Sequence, residues 1–353
     1  MPRYPEFEPG LSTALREGMV IPAHPLALTE NDTLDEQRQR ALTRYYLAAG
    51  AGGLAVGVHS TQFKIHDPSV GLYEPVLTLA AETAREIGGT PIMVAGICGK
   101  TRQATKEAQL AKALGYHLGL LSLRDFPNAK TDELLAHARR VAEVIPLIGF
   151  YLQSAVGGAK LSPRFWRELS EIPNLTAIKM APFDRYKTLD VVRAVAESSR
   201  RDRIALYTGN DDNIILDLLT PFEVEVSGKS VSMRIVGGLL GQWACWTRRA
   251  VKMLDEIKAI RTKETLPARW LTLAAQLTEA NAAIFDAAND FRGCVPGISY
   301  VLQRQGLLAN CRTLDPEERL SPGQTDKIDA VTAAYPHLTD GNFIRNHLND
   351  YLR

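Results

Sequence analysis

The stretch NLTAIKMAP, residues 174–182, is a largely apolar run with one charged residue, Lys179, near its middle. Runs of this length and composition are typical of strands that are buried on both faces of a parallel sheet. KTLDVVRAVAESS, residues 187–199, follows it with apolar residues at helical spacing. Because an ammonium group is costly inside a sheet, Lys179 either marks an early strand end and reaches water, or it has a function.

The same strand-and-helix unit recurs on both sides of this stretch. Eight apolar runs of strand length are each followed by an amphipathic segment, and the runs begin near residues 19, 53, 91, 116, 146, 175, 203 and 237. Eight units over roughly 240 residues match the size of a (β/α)8 TIM barrel. The competing architecture, an open doubly wound sheet, usually has a glycine-rich turn after its first strand, and residues 21–32 contain none. The pattern therefore favours the barrel.

Two segments depart from the alternation. Residues 220–235, TPFEVEVSGKSVSMRI, alternate around a central SGK, which predicts an inserted β-hairpin at about 221–236, ahead of the eighth strand. From residue 264 the sequence has helical character and ends in a polar tail. We therefore expect a barrel with a short N-terminal arm over residues 1–263, and a C-terminal helical extension over 264–353.

Composition excludes several classes of protein. The chain has 353 residues, 45% of them hydrophobic, and a formal net charge of +1, so no basic surface for nucleic acid or membrane lipid is expected. Its N-terminus is polar, and no apolar run approaches the roughly 20 residues that span a bilayer. The four cysteines have no metal-binding spacing. These features predict a cytoplasmic protein with a small-molecule substrate.

In barrels of this type the active site lies at the carboxyl ends of the strands. The candidates there are His24, residues 58–62, Cys98, Arg124, Asp125, Tyr151, Lys179, Asn210 and Asp211. Lys179 and Tyr151 end consecutive strands, which lie about 4.8 Å apart in a sheet. We therefore expect the Tyr151 hydroxyl to meet the Lys179 amine.

This pair of residue types suits Schiff-base catalysis. Burial lowers the pKa of a lysine, and the neutral amine can attack a ketone to form an imine that assists carbon–carbon cleavage or formation. A nearby phenol can relay the protons that these steps require. Hydroxyl and N–H groups in the HSTQ segment, residues 59–62, are suited to hold a substrate carboxylate.

The order of these segments resembles the dihydrodipicolinate synthase/N-acetylneuraminate lyase family of class I aldolases. NLTAIKMAP resembles the family's Schiff-base lysine segment, LIGFYLQSAVGG (147–158) its Y-N-x-P strand, AVGVHSTQF (55–63) its G-T-T-G-E loop, and ALYTGNDD (205–212) its S-G-D-D strand. PIMVAGI (91–97) and VPGISYVLQRQGLL (295–308) also fit. The resemblance implies that Lys179 is the nucleophile and that Tyr151 relays protons. It also implies substrate contacts from His59, Ser60, Thr61, Gln153 and Asn210, no cofactor, no metal, and a homodimer or homotetramer.

The departures from the family pattern bear on the substrate. The arginine that follows Y-N-x-P in dihydrodipicolinate synthases falls on Val156, and the tyrosine of the strand-four segment falls near Arg124 and Asp125. The threonine pair aligns with His59 and Ser60 or, after a one-residue shift, with Ser60 and Thr61. We therefore expect a lyase or aldolase acting on pyruvate or a related 2-keto acid, and not a true dihydrodipicolinate synthase.

Two other functions remain open. A non-catalytic or regulatory relative could keep the barrel and bind a small carboxylate, since two family positions have changed. A metal-dependent hydrolase is a third possibility, because His24 and His59 both fall at strand ends. It is the weaker one, since such enzymes usually present an H-x-H pair on strand one and residues 21–25, IPAHP, supply a single histidine.

Overall fold

The structure, a computed structural model, describes residues 4–353. Its nine strands are β1 (Val20–Pro22), β2 (Gly53–Val56), β3 (Ile92–Ile97), β4 (Leu118–Leu121), β5 (Leu147–Leu152), β6 (Leu175–Ala181), β7 (Ala205–Thr208), β8 (Pro221–Val226) and β9 (Lys229–Leu240). The helices up to the last strand are α1 (Pro9–Glu17), α2 (Glu36–Ala48), α3 (Tyr73–Ile87), α4 (Thr101–Ala113), α5 (Thr131–Ala142), α6 (Pro163–Ser170), α7 (Arg185–Glu197) and α8 (Ile214–Leu219). The helices after it are α9 (Gln242–Cys245), α10 (Thr247–Ile260), α11 (Arg269–Ile284), α12 (Cys294–Arg304), α13 (Gln324–Ala334) and α14 (Gly341–Tyr351).

The strand order identifies the fold. Hydrogen bonds join the strands in the order β1-β9-β7-β6-β5-β4-β3-β2, and β8 pairs with β9 off this path. The pairs from β3 to β7, and the pair of β7 with β9, are parallel. A parallel bridge between Ala23 and Ala55 links the two ends of this order. The predicted (β/α)8 barrel is confirmed, with β9 as its eighth strand.

The central strands form because almost every residue in them can be buried. All residues of β3, β4, β5 and β6 are buried, as expected for strands with side chains packed on both faces. Small residues allow close approach on the inner face, where Ala177 of β6 lies beside Ala205 of β7. Lys179 is the single charged residue in these four strands.

The hairpin and the eighth strand form one continuous element. β8 pairs antiparallel with β9 from Pro221↔Arg234 to Val226↔Lys229, around a turn at Ser227 and Gly228. Both turn residues have positive φ, 50° and 78°, as two-residue hairpin turns require. β9 then continues without a break to Leu240 as the barrel strand. Residues 242–245 then form the short helix α9.

The chain divides into two compact units. The first contains residues up to Met19 together with Val94–Leu239, and the second contains Val20–Met93 together with Leu240–Arg353. In the second unit α11 packs on α12 and α13, and α14 packs on α2. The polar end of the chain forms α13 and α14 and buries apolar side chains, among them Ile328, Leu338 and Ile344, so the predicted C-terminal helical extension is confirmed.

Residues near Asp340 attach the last helix to the rest of the second unit. The buried Asp340 carboxylate accepts hydrogen bonds from the Tyr45 hydroxyl at 2.7 Å and from the backbone N–H groups of Arg248 and Arg249 at 2.5 and 2.9 Å. Burial raises the pKa of this carboxyl group.

Among residues 4–353, no helix is both long and apolar enough to cross a membrane.

Candidate functional site

Lys179 lies on the inner face of β6 and is only 6% exposed. Its register neighbours are Phe150 on β5 and Tyr207 on β7. The Nζ atom lies 4.5 Å from the centroid of the Phe150 ring. The side chain therefore does not reach water from a strand that ended early, because β6 continues to Ala181. The Nζ atom therefore lies beside an aromatic face in a buried position.

The structure does not bring Tyr151 to Lys179, contrary to the sequence expectation. Tyr151 pairs in register with Met180, one residue after the Phe150–Lys179 pair. Side chains alternate faces along a strand, so Tyr151 points away from Lys179 toward the helices. Its ring lies 5.1 Å from that of Trp166 in α6, and its hydroxyl donates to the Leu161 carbonyl at 3.4 Å.

The electrostatic surroundings of Tyr151 agree with this outward position. Burial, and then the negative charges of Asp190 and Asp184, raise the pKa of Tyr151 to about 12. Asp190 belongs to α7 and Asp184 caps its N-terminus. The residue that takes the inner position beside the lysine is Phe150, which has no proton to relay. Phe150 was not identified from the sequence, because Tyr151 aligns with the tyrosine of the family motif. The two-residue alternation along LIGFYL, which places Phe150 and Tyr151 on opposite faces, was not taken into account.

Gly209, directly after β7, gives the lysine side chain its space. A Cβ atom at this position would lie 2.7 Å from Cε of Lys179 and 2.8 Å from Cβ of Ala181. Contacts this short do not occur between unbonded carbon atoms, so a side chain here would displace the lysine. Gly209 N–H also donates to the Met180 carbonyl at 2.6 Å, which ties this turn to β6. Gly209 was not among the residues that the sequence singled out.

Asn210 is part of a buried hydrogen-bond network. Its Nδ2 donates to Thr188 Oγ1 at 3.3 Å and to Asp217 Oδ2 at 3.0 Å, and its Oδ1 accepts from the Phe183 N–H at 3.1 Å. The side chain is fully buried. The Asn210 amide thus holds α7 and α8 to the end of β7, and a substrate contact by Asn210 stays a prediction.

Asp217 in α8 is the centre of that network. Its carboxylate, 1% exposed, accepts hydrogen bonds from Thr208 Oγ1 at 2.7 Å and from Asn213 Nδ2 at 2.9 Å, and it forms an ion pair with Arg185. Buried carboxylates are stable when donors of this kind surround them. Thr208 and Asn210 flank Gly209, so the network fixes the backbone turn that lies against Lys179.

In the second unit, the loop after β2 is held by its own hydroxyl groups. Ser60 Oγ donates to the Ala23 carbonyl at 2.7 Å, and Thr61 Oγ1 donates to the His24 carbonyl at 2.6 Å. Thr61 Oγ1 also accepts from the N–H groups of Gly57 and Val58 at 3.0 and 3.1 Å. Both hydroxyl protons are thus used by the backbone at the end of β1. The predicted carboxylate contact would have to come from backbone N–H groups or from a rearranged Ser60.

The two histidines at strand ends differ in their surroundings. His24 is completely buried; Nδ1 contacts the Pro25 carbonyl at 2.8 Å, Nε2 contacts Thr43 Oγ1 at 2.9 Å, and burial lowers its pKa to about 4. His59 is half-buried, and its ring lies 5.4 Å from that of Phe63. Within residues 4–353, no group of three or more His, Cys, Asp or Glu side chains is arranged to hold a metal ion.

The segment after β5 carries the remaining predicted residues. Gln153 is half-buried, and its carbonyl accepts from the Gly158 N–H at 2.9 Å. A Cβ atom on Gly157 would lie 3.9 Å from the Arg124 guanidinium, so this arginine borders the segment. Val156, where the family arginine is expected, lies in the three-ten helix Ser154–Val156. A substrate role for Gln153 stays a prediction.

Comparison with known proteins gives the family. The model of the dihydrodipicolinate synthetase family matches residues 17–244. The chain belongs to this family. The 4-hydroxy-tetrahydrodipicolinate synthase of Exiguobacterium sp. strain AT1b is 26% identical over 263 residues, covering 70% of this chain and 86% of the relative. The enzyme of the same name from Aromatoleum aromaticum is 30% identical over 196 residues, covering 55% and 62%.

Solved structures show the same fold at lower identity. YagE, an Escherichia coli K12 prophage protein of the dihydrodipicolinic acid synthase family solved with pyruvate, has a TM-score of 0.73 and 16% identity, covering 90% of this chain and 98% of its own. The N-acetylneuraminate lyase of Fusobacterium nucleatum has a TM-score of 0.68 and 15% identity, covering 90% and 99%. Family membership places the chain among Schiff-base aldolases and lyases.

Proposed function

We propose that this protein is a class I aldolase or lyase in which the Lys179 amine forms an imine with pyruvate or a related 2-keto acid. The observation that carries the proposal is the position of Lys179, 6% exposed on the inner face of β6 beside the Phe150 ring. Burial disfavours the charged ammonium form of a lysine, and the neutral amine is the nucleophile. The similarity to YagE, which was solved with pyruvate, supports the choice of keto acid.

The proposed chemistry begins with attack of the amine on the substrate C2 carbonyl. The carbinolamine loses water and becomes a protonated imine, which draws electrons from C3. Loss of a proton at C3 gives an enamine that can add to an aldehyde, and the reverse sequence cleaves the same carbon–carbon bond. No cofactor takes part in this proposal, because the imine nitrogen accepts the electron pair.

We propose that Tyr151 is not the proton relay, since its hydroxyl faces α6. The residue beside the amine is Phe150, so the protons must pass through another group, a water molecule or the substrate's own carboxylate. The predicted roles of His59, Ser60, Thr61 and Gln153 in binding the substrate remain part of the proposal. Val156 in place of the family arginine supports a substrate other than the acidic aldehyde of dihydrodipicolinate synthases.

One observation favours a second candidate, a non-catalytic relative that binds a small carboxylate. The phenyl ring of Phe150 beside Lys179 removes a proton donor from the place where imine chemistry needs one. Such a protein could still form a reversible imine without completing a carbon–carbon step.

The decisive experiment is borohydride trapping with pyruvate and a panel of larger 2-keto acids, read by peptide mass spectrometry. We expect an adduct on Lys179, and none in Lys179→Ala. Absence of an adduct with every keto acid would refute the imine proposal. An adduct without exchange of the C3 protons for deuterium would instead support the carboxylate-binding relative.

The oligomeric state is also a proposal, from the family resemblance alone. We propose a homodimer or homotetramer, which sedimentation analysis of the full chain would test. A cytoplasmic location is likewise a proposal.

A further inference from the structure

The helices of the C-terminal extension line a cavity of about 410 Å³ that is open to solvent. Volumes of this size are typical of sites for small organic ligands. Helices α12, α13 and α14 line it, and Trp246 contributes a wall. Every lining residue lies after residue 244, where the family match ends, so nothing assigned to the barrel accounts for this cavity.

The walls combine apolar and cationic groups. The apolar part comes from Trp246, Val301, Ile328 and Leu348. Two arginines, Arg304 on α12 and Arg345 on α14, supply the positive charge. A molecule that fits both parts would have an apolar body and an anionic group.

The charges around the cavity are unbalanced. Its single acidic residue, Asp329, lies 3.5 Å from Nε of Arg304 and accepts a hydrogen bond from the Tyr300 hydroxyl at 3.1 Å. Arg345 forms no ion pair with any residue in the described range 4–353. The positive charge of Arg345 at the cavity is therefore left without an acidic partner among residues 4–353.

The neutral hydroxyl groups of the lining already donate to backbone carbonyls. The hydroxyl of Thr332 donates to the Ile328 carbonyl at 2.7 Å, and that of Thr339 donates to the Pro336 carbonyl at 3.0 Å. Among the described lining residues, one donor, Trp246 Nε1, and one acceptor, Gln305 Oε1, are buried without a hydrogen-bond partner. The preference for an anionic ligand therefore comes from Arg345 and not from these neutral groups.

We propose that this cavity is a binding site for a small carboxylate with an apolar body, and that Arg345 binds its carboxylate. The planar guanidinium group can hold both oxygens of a carboxylate, while Trp246 and Leu348 contact the apolar part. The site is separate from Lys179 and does not depend on imine chemistry. An apolar wall of this extent makes a carboxylate with a hydrocarbon body a better occupant than a bare oxyanion.

The test is calorimetric titration of the full chain with benzoate at low ionic strength, with inorganic phosphate and benzyl alcohol as comparison ligands. We expect benzoate to bind more tightly than either comparison ligand. Arg345→Ala should weaken benzoate binding by about tenfold or more, because it removes a charged hydrogen bond, and Arg345→Lys should restore part of it. Arg319→Ala, at an exposed arginine that does not line the cavity, should bind like the unmodified chain.

A second variant tests the cavity without changing charge. Ala333→Phe places a ring at an exposed position in the lining and should block benzoate while leaving the fold intact. Equal benzoate affinity in Arg345→Ala and the unmodified chain would overturn the proposal, as would phosphate binding as tightly as benzoate. Benzoate binding that survives Ala333→Phe would place the ligand elsewhere and would overturn it too.

Discussion

Substitution of Gly209 by alanine tests whether space beside β7 determines the reactivity of Lys179. The new Cβ would lie 2.7 Å from Cε of the lysine, whereas unstrained carbon atoms stay about 3.5 Å apart, so the side chain must move by about 0.8 Å. The other close atom, Cβ of Ala181, cannot rotate away, so the lysine or the backbone takes up the strain.

A displacement of this size has a predictable kinetic effect. Misplacing a reacting group by about 1 Å can cost on the order of 100-fold in rate. We therefore expect Gly209→Ala to form the borohydride-trapped pyruvate adduct on Lys179 about 10- to 100-fold more slowly than the unmodified chain. The assay is the time course of adduct formation followed by intact-protein mass spectrometry.

Gly149→Ala is the matched control. Its Cβ would lie 3.0 Å from Cδ2 of Leu169, on the outer face of β5 and away from the lysine. Overpacking at either glycine should lower the free energy of unfolding by about 1–3 kcal/mol. Gly149→Ala should nevertheless form the adduct at the normal rate. The reasoning is refuted if Gly209→Ala traps pyruvate as fast as the unmodified chain, or if both variants slow equally.

Three further outcomes follow from the described contacts. Tyr151→Phe should keep its adduct formation and turnover and lose no more than about 1 kcal/mol of unfolding free energy, because its hydroxyl makes one weak hydrogen bond. Asp217→Asn should lower unfolding free energy in urea by about 1–3 kcal/mol, because the charge-assisted hydrogen bonds that its buried carboxylate accepts become weaker. Burial lowers the pKa of His24 from 6.5 in the reference state to about 4 in the folded chain. Between these pH values the unfolded chain binds more protons than the folded chain. The free energy of unfolding should therefore fall by about 3 kcal/mol as the pH drops from 6.5 to 4.

Each of these outcomes has a control. Phe150→Tyr changes a residue on the inner face and should alter the rate of adduct formation, whereas Tyr151→Phe should not. Loss of pyruvate trapping in Tyr151→Phe would support a proton-relay role for Tyr151. Asp132→Asn breaks an exposed ion pair with Arg164 and should cost under about 1 kcal/mol; a similar cost at Asp217 would contradict the network. His24→Gln should flatten the pH dependence, and an unchanged slope would exclude His24 as its source.

The amino-acid sequence by itself determined the barrel and its lysine. Apolar runs of strand length alternate with amphipathic helical segments through eight units. The apolar residues that become buried can therefore be recognised from the local sequence. Lys179 was identifiable because a charge inside such a run is costly. The hairpin was also visible, since the residues on both sides of SGK alternate and Gly228 tolerates positive φ.

The tertiary structure alone decided which side chains share a face with Lys179. A one-residue difference in register moves a side chain to the other face of a strand. The sequence LIGFYL does not by itself determine that register. The structure places Phe150 inward and Tyr151 outward, and it shows that Asn210 is occupied by Asp217. Gly209 became visible only there, because its effect depends on a 2.7 Å approach between residues 30 positions apart in the chain.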